Sequence, residues 1–273
     1  MKDVLQKPAG NYEPRGRLDP VGFERHVSFH TCQPPADLVP FIEHFWTIRW
    51  DKADTVYNSE EVMHRPYVDV FVSAQQAGIQ GTFRGKRTYV AAGSGRIVGV
   101  RFRPGAFHAF WNGNLSDLQD KIIDLQQVFP QMDSRYIEHL LTLDDETAIH
   151  DLLKLIRAKH PQPDGNIELI NEVITSIETD ESLQTVAAVA KAFGRSERWL
   201  QQLFQNYLGI GLKWLLKRHR LLAAAQQIRG SEQPNWAAIA YDFGYSSQQH
   251  FITDFKKVLG KTPRQYKKEL TTL

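Results

Sequence analysis

The sequence has almost no cysteine. Cys32 is the one thiol in 273 residues, so an internal disulfide is excluded and a reducing cytoplasm suits the chain. There is no run of about 18 apolar residues, as a membrane-spanning helix would need. The N-terminus, MKDVLQKPAGNYE, has no apolar signal core. Net charge is also small, +2 from 33 basic and 31 acidic residues. A complete metal-ligand set is missing too. His26, His30 and Cys32 lie close in sequence, but a zinc site needs a full, convergent set, so neither metal nor cofactor is expected. No nucleophile motif is present, so an enzyme is not expected.

What is present points elsewhere. An apolar fraction of 42% is ample for packed cores, and the length fits two domains. The small overall charge conceals a lopsided distribution, with residues 182–268 carrying +10 and the rest −8. A basic segment supplies the phosphate attraction behind non-specific DNA affinity, and the acidic remainder should avoid DNA.

A repeat organises the basic half. Thr185 to Ser196 reads TVAAVAKAFGRS, and fifty positions on Asn235 to Ser246 reads NWAAIAYDFGYS. Six of twelve positions are identical, which argues for a duplicated supersecondary unit. Each copy reads as helix-turn-helix. Thr185 and Asn235 suit N-caps, Gly194 and Gly244 suit the sharp turn, and Ser196 and Ser246 or Ser247 suit the second cap. Helical spacing buries Leu200, Leu203 and Phe204 in one copy and Phe251, Phe255 and Val258 in the other.

The opposite faces are polar. Arg198, Gln201, Gln202 and Gln205 fall at i, i+3, i+4 and i+7. Gln248, Gln249, Thr253 and Lys256 line the second copy, with Lys257 beside them. Arginine can pair with guanine, and glutamine with adenine, through two hydrogen bonds in the major groove. The segment from Gly211 to Ile228 reads as a helix joining the units, stopped by Gly230. Leu212, Leu215, Leu222 and Ile228 occupy one side, and Lys213, Lys217 and Arg220 another. Such a connector would fix two reading units at about the 34 Å that separates adjacent major grooves.

Three stretches carry a family resemblance: FGRSERWLQQLF (193–204), RHRLLAAAQQI (218–228) and FGYSSQQHFITDFKKVLGKTPRQY (243–266). Residues from about 166 to 268 resemble the DNA-binding domain of AraC/XylS-type transcription regulators. The resemblance implies two helix-turn-helix units joined by a long helix, with base contacts from Arg198, Gln201, Gln202, Gln248, Gln249 and Thr253. The chain departs from the family pattern at Thr253, where a basic residue is frequent, and near Ser247, where an acidic or small one is.

The N-terminal half alternates strand-like runs with turn signals. Residues 1–33 read as a loosely ordered arm, with a short strand near 26–29. Asp37 to Trp50 reads as a short helix running into a strand. Runs at 61–63, 67–73, 78–83, 88–92 and 96–102 follow, punctuated by Pro66 and several glycines. Close turn signals of this kind predict a small antiparallel sandwich or half-barrel. The glycine-rich GSGRIVG at 93–99 reads as a hairpin turn. From Leu115 the pattern turns helical, with one segment through Leu118, Ile122, Ile123 and Leu125. Further helices are expected over 136–141, 147–158 and 167–177. WTIRW, RPYVDVFV and IVGVRFRPGAF resemble the N-terminal domain of one subgroup of the same regulators, over about residues 34–130. Trp46, His64, Tyr67, Asp69, Arg101 and Arg103 could contact an effector, although aromatic residues in a small barrel are more often core.

These readings combine into an α+β chain. An arm (1–33) precedes a β-rich sensor domain with C-terminal helices (34–160). A linker (161–165) follows, then an all-α DNA-binding domain (166–268). The expected function is sequence-specific regulation of transcription. The expected partners are double-stranded DNA, RNA polymerase, a small-molecule effector and a second copy in a homodimer, with no membrane. The main alternative is an architectural DNA-binder whose N-terminal domain only mediates assembly. An alkylation-responsive repair regulator would need more cysteines than Cys32.

Overall fold

In the computed structural model, residues 16–63 and 65–270 are described, apart from the side chains of 52–55. The elements run α1 (Pro20–His26), β1 (Ser28–Cys32), β2 (Ile42–Val62), β3 (Val68–Ser73), β4 (Ala77–Gln80), β5 (Lys86–Phe102) and β6 (Ile122–Ile123). Helices follow as α2 (Ser134–Thr142), α3 (Asp145–Arg157), α4 (Gly165–Thr179), α5 (Val186–Ala192), α6 (Glu197–Leu208), α7 (Leu212–Gly230), α8 (Trp236–Asp242), α9 (Gln248–Leu259) and α10 (Pro263–Leu270). The fold is α+β: an antiparallel sheet ordered β1-β2-β5-β3-β4-β6, then an all-helical half.

The ribbon of β2 and β5 dominates the sheet and differs from the sequence expectation. The runs at 88–92 and 96–102 are one strand, and 61–63 is the tail of another. Gly93 to Gly99 is no hairpin turn but the middle of β5. The register jumps between Lys52 and Val56 opposite Gly93, whose φ of +61° suits glycine. The jump changes which residues of β2 face inward. Before it Trp46 and Trp50 pair with Gly99 and Gly95; after it Tyr57 and Ser59 pair with Ala91 and Tyr89. All eight positions lie on the same side of the sheet, because cross-strand partners share a face.

The other side is the main core. Phe45, Val98, Val100, Phe102, Val68, Val70 and Val72 pack against Ala148, Ile149, Leu152, Leu153 and Ile156 of α3. The apolar stripe of α3 is thus spent inside the chain. Asp145 pins the start of α3 to the sheet through Arg49 at 2.7 Å and Arg96 at 2.6 Å.

Three further expectations are corrected. Residues 16–32 of the supposed arm are structured: α1, capped by Asp19, packs on β2, and β1 pairs with β2. The rest of that arm, residues 1–15, lies outside the described residues. Asp37 to Phe41 makes hydrogen-bonded turns rather than a helix. The helix expected through 118–125 is two short 3-10 turns, at 115–118 and 125–127, flanking β6. Asp120 there has a φ of +59°, which no helix accommodates, and the β-branched pair Ile122–Ile123 closes the sheet edge beside β4.

The helical half holds two helix-turn-helix units, α5–α6 and α8–α9, joined by α7. Thr185, Ser196, Asn235 and Ser247 cap the four helices by accepting from a main-chain amide three residues on. Gly194 and Gly244 turn between them with φ of +60° and +73°. The connector α7 runs through Gly230 and is capped at Ser231. Hydrophobic contacts from the first unit gather α4, α5, α6 and the start of α7; those of the second gather the rest of α7 with α8, α9 and α10.

The two halves are joined by more than the linker. Leu18 and Val62 of the sheet half sit in the core of the second unit with Leu221, Phe251 and Phe255. Asn171 on α4 donates to the carbonyl of Pro104 at 2.9 Å. Arg218 on α7 is 1% exposed and donates to the carbonyls of Met63 and Arg84. Arg65 pairs with Glu178, and Lys261 reaches Glu60 at 3.0 Å.

Candidate nucleic-acid interface and effector cavity

The second helix of each unit presents a polar, solvent-facing side. On α6, Arg198, Gln202 and Gln205 are exposed, while Gln201 is half-buried. Gln205 also donates to the carbonyl of Gly209 at 3.1 Å, so its amide is partly engaged at the helix end. On α9, Gln248, Gln249 and Thr253 are exposed, with Lys256 and Lys257 in the last turn. The Thr253 hydroxyl donates back to the carbonyl of Gln249 at 2.9 Å. Ser196 and Ser247 are both caps, accepting from Trp199 and His250 at 3.2 Å. A free helix N-terminus capped this way also offers first-turn amides to phosphate.

The two lysines of the connector separate. Lys213 is exposed at the start of α7. Lys217 is tied to Asp254 of α9 at 2.7 Å, and Asp254 also accepts from the Tyr245 hydroxyl at 3.3 Å. Lys217 therefore ties α7 to α9, and its charge is already matched. Arg218 is the residue that the sequence reading passed over. It stands three positions from Leu215 and from Leu221, on the buried stripe, and that spacing was its visible signal.

A second concave site lies on the inward face of the sheet, with a volume of about 270 Å³. Trp46, Trp50, Phe71 and Ile97 come from the sheet, Tyr57 from beyond the register jump, and Phe23 from α1. The polar end holds Arg101, Asp69, Glu61 and Arg17. Arg101 grips Asp69 with two bonds of 2.9 and 2.7 Å and stacks 3.5 Å above the Tyr67 ring. Tyr67 donates to Glu61 at 2.7 Å, and Arg17 donates to Ser59 at 2.7 Å. Burial pushes the Asp69 carboxyl up, against the opposing pull of Arg101. Burial first, and Arg101 second, push His44 down to about 3, so its imidazole is neutral at pH 7.

Of the residues expected to meet an effector, Trp46, Asp69 and Arg101 line this cavity. Tyr67 lies beneath it, fully buried under Arg101. Arg103 follows the end of β5 and donates to the carbonyl of Val39, away from the cavity. His64 lies outside the described residues. Missed altogether were Tyr57 and Glu61, which the register jump in β2 turns inward, and Arg17, which a bridge to Glu61 brings to the cavity.

Two family models match separate parts of the chain. A family described as Helix-turn-helix domain matches residues 189–269, and one described as Domain of unknown function (DUF6597) matches residues 30–124. Regulatory protein SoxS of Salmonella typhimurium is 36% identical over 104 residues, spanning 38% of this chain and 91% of the relative. SoxS of Escherichia coli K12 is 34% identical over 105 residues, spanning 38% and 96%. The chain belongs to the AraC/XylS-type transcription regulators. A solved AraC-type regulator from Chromobacterium violaceum is 24% identical, with a TM-score of 0.35, over 39% of this chain and 95% of that one. The family and its SoxS relatives make this chain a DNA-binding transcription regulator, and that kinship points to transcription control rather than catalysis. No helix among the described residues is long and apolar enough to cross a membrane. Nor do three or more His, Cys, Asp or Glu among them gather as a metal would require.

Proposed function

We propose that this regulator reads duplex DNA with α6 and α9 and answers to a small molecule held in the sheet cavity. Arg198, Gln202, Gln248 and Gln249 are the base-reading candidates. Lys213, Lys256 and Lys257 are the phosphate-contacting ones. The observation that carries the coupling is the tail of β2. Ser59 and Glu61 line the cavity, while Glu60 and Val62 on the other face hold the DNA-binding half. A ligand that moves this tail bears on both faces at once, and it shifts DNA affinity only through differential affinity for the two arrangements. Contact with RNA polymerase, and action as a homodimer in the cytoplasm, belong to the same reading. The cavity favours it over a purely architectural role, which needs none.

The test is binding-site selection from random duplexes with full-length protein at near-physiological salt. Two enriched blocks about one helical turn apart are expected. Salt-sensitive binding with no enrichment would reject sequence-specific readout. Gln202→Ala should then cost roughly 1–3 kcal/mol at its own base pair and leave the other positions unchanged.

A further inference from the structure

The cavity's chemistry narrows its ligand, on the premise that this cavity is the effector site. Its charged lining groups are Arg17, Arg101, Glu61 and Asp69, two of each sign. They are matched among themselves: Arg101 with Asp69 through two bonds, and Arg17 4.0 Å from Glu61. An ionic ligand would have to displace one of these partners, stranding a buried charge. An uncharged ligand meets no such cost.

Two indoles, Trp46 and Trp50, also line the cavity. A Cβ on Gly99 would stand 2.5 Å from Cζ2 of Trp46, and one on Gly95 would stand 2.1 Å from Cζ2 of Trp50. Both indoles therefore lie against bare backbone of β5, which only glycine leaves open. Trp50 spends its N–H on the carbonyl of Ala92 at 3.1 Å and offers ring surface alone. Trp46 is 8% exposed, and its Nε1 is buried with no acceptor among the described residues. A buried donor of this kind calls for a partner.

We propose that the cavity takes an uncharged, planar aromatic molecule that lies against the Trp46–Trp50 wall and gives one oxygen acceptor to Trp46 Nε1. The volume sets the size: about 270 Å³ is below the roughly 300–1,000 Å³ of sites for drug-sized ligands, so one or two fused rings fit.

Full-length protein would be titrated by calorimetry with four probes on one ring system: 2-acetylnaphthalene, 2-ethylnaphthalene, 2-naphthoate and 2-naphthylmethylammonium. The ketone should bind at least tenfold more tightly than either ion. It should also bind roughly fivefold more tightly than the hydrocarbon, as one net hydrogen bond allows. Trp46→Phe should erase the second preference and keep the first. Gly95→Ala, which pushes Trp50 off the strand, should weaken the ketone. Equal or tighter binding of either ion would overturn the ligand class while leaving the cavity a ligand site. A ketone no better than the hydrocarbon would overturn the role of Trp46, and an unchanged affinity in Gly95→Ala would put the ketone elsewhere. Absence of binding by all four probes would overturn both the class and the effector reading. The wild-type comparisons need no variant, so they stand even if a substitution fails to fold.

Discussion

Lys217 and Lys256 carry the same charge within one DNA-binding unit, yet their surroundings give them different work. Lys256 is exposed in the last turn of α9. Lys217 is held by Asp254, whose carboxylate is largely buried. A lysine that contacts phosphate releases a counterion on binding, so its loss lowers the salt slope by about one. Lys256→Ala should therefore reduce the slope of log affinity against log salt by about one. Lys217→Ala should leave the slope unchanged and lower the melting temperature, because it removes the cation paired with the largely buried Asp254 carboxylate. Titrations at four or five salt concentrations would separate the two. A smaller slope for Lys217→Ala would return that residue to the DNA face. Arg218 is the sharper case for stability. Substituting methionine keeps the apolar stem but leaves the carbonyls of Met63 and Arg84 without their donor. Each unpaired buried acceptor costs roughly 1–3 kcal/mol, so denaturant titration of Arg218→Met should find about 2–4 kcal/mol lost.

At the level of elements, the turns test whether glycine is needed for conformation or for space. Gly194 and Gly209 have nearly equal φ, +60° and +69°. Around Gly194 a methyl group would meet nothing within 4 Å, whereas at Gly209 it would stand 2.6 Å from the carbonyl oxygen of Leu115. Gly194→Ala should cost only the left-handed conformation, about 1–2 kcal/mol. Gly209→Ala adds a backbone collision that forces α6 away from the 115–118 turn, and should cost clearly more by thermal melting in the same buffer. Equal losses would mean that the turn yields without strain. The same contrast explains what was legible in the sequence. The helical units were readable because caps and turn glycines act locally: Thr185, Ser196 and Gly194 do their work within four residues. The long strands were not. Gly95 and Gly99 look like turn residues, but they are glycine because tryptophans on the neighbouring strand lie across them. Tyr57 and Glu61 were hidden for a related reason, since a register jump decides which way they face, and Arg17 because its bridge to Glu61 spans more than forty residues. Arg218 looked solvated because arginine usually is, although its spacing from Leu215 and Leu221 marked the buried side.

At the scale of the whole molecule, the question is what keeps the DNA-binding half in one position against the sheet. Glu60 sits at that junction, between Lys86 on the neighbouring strand and Lys261 just ahead of α10. Burial raises its affinity for protons, but the hydrogen bonds and charges of the two lysines outweigh it, and the carboxyl is held below its ordinary 4.5. A carboxyl depressed in the folded state contributes stability that is complete above the unfolded value and is lost as the pH falls through the folded one. The link between the halves should therefore be intact at pH 7 and weaken as the pH drops below about 4.5. Amide hydrogen exchange would read this as faster exchange in α10 and the tail of β2 at low pH, after correction for the intrinsic pH dependence. Glu60→Gln should show that loosening already at pH 7 and little further change on acidification. Asp145 and Asp37 are also held below their ordinary range, but by arginines inside the sheet half, so their protonation should act on α3 and leave α10 alone. An acid response in α10 that persists in Glu60→Gln would shift the pH-sensitive link to another junction contact, with Arg65 and Glu178 the next pair to test.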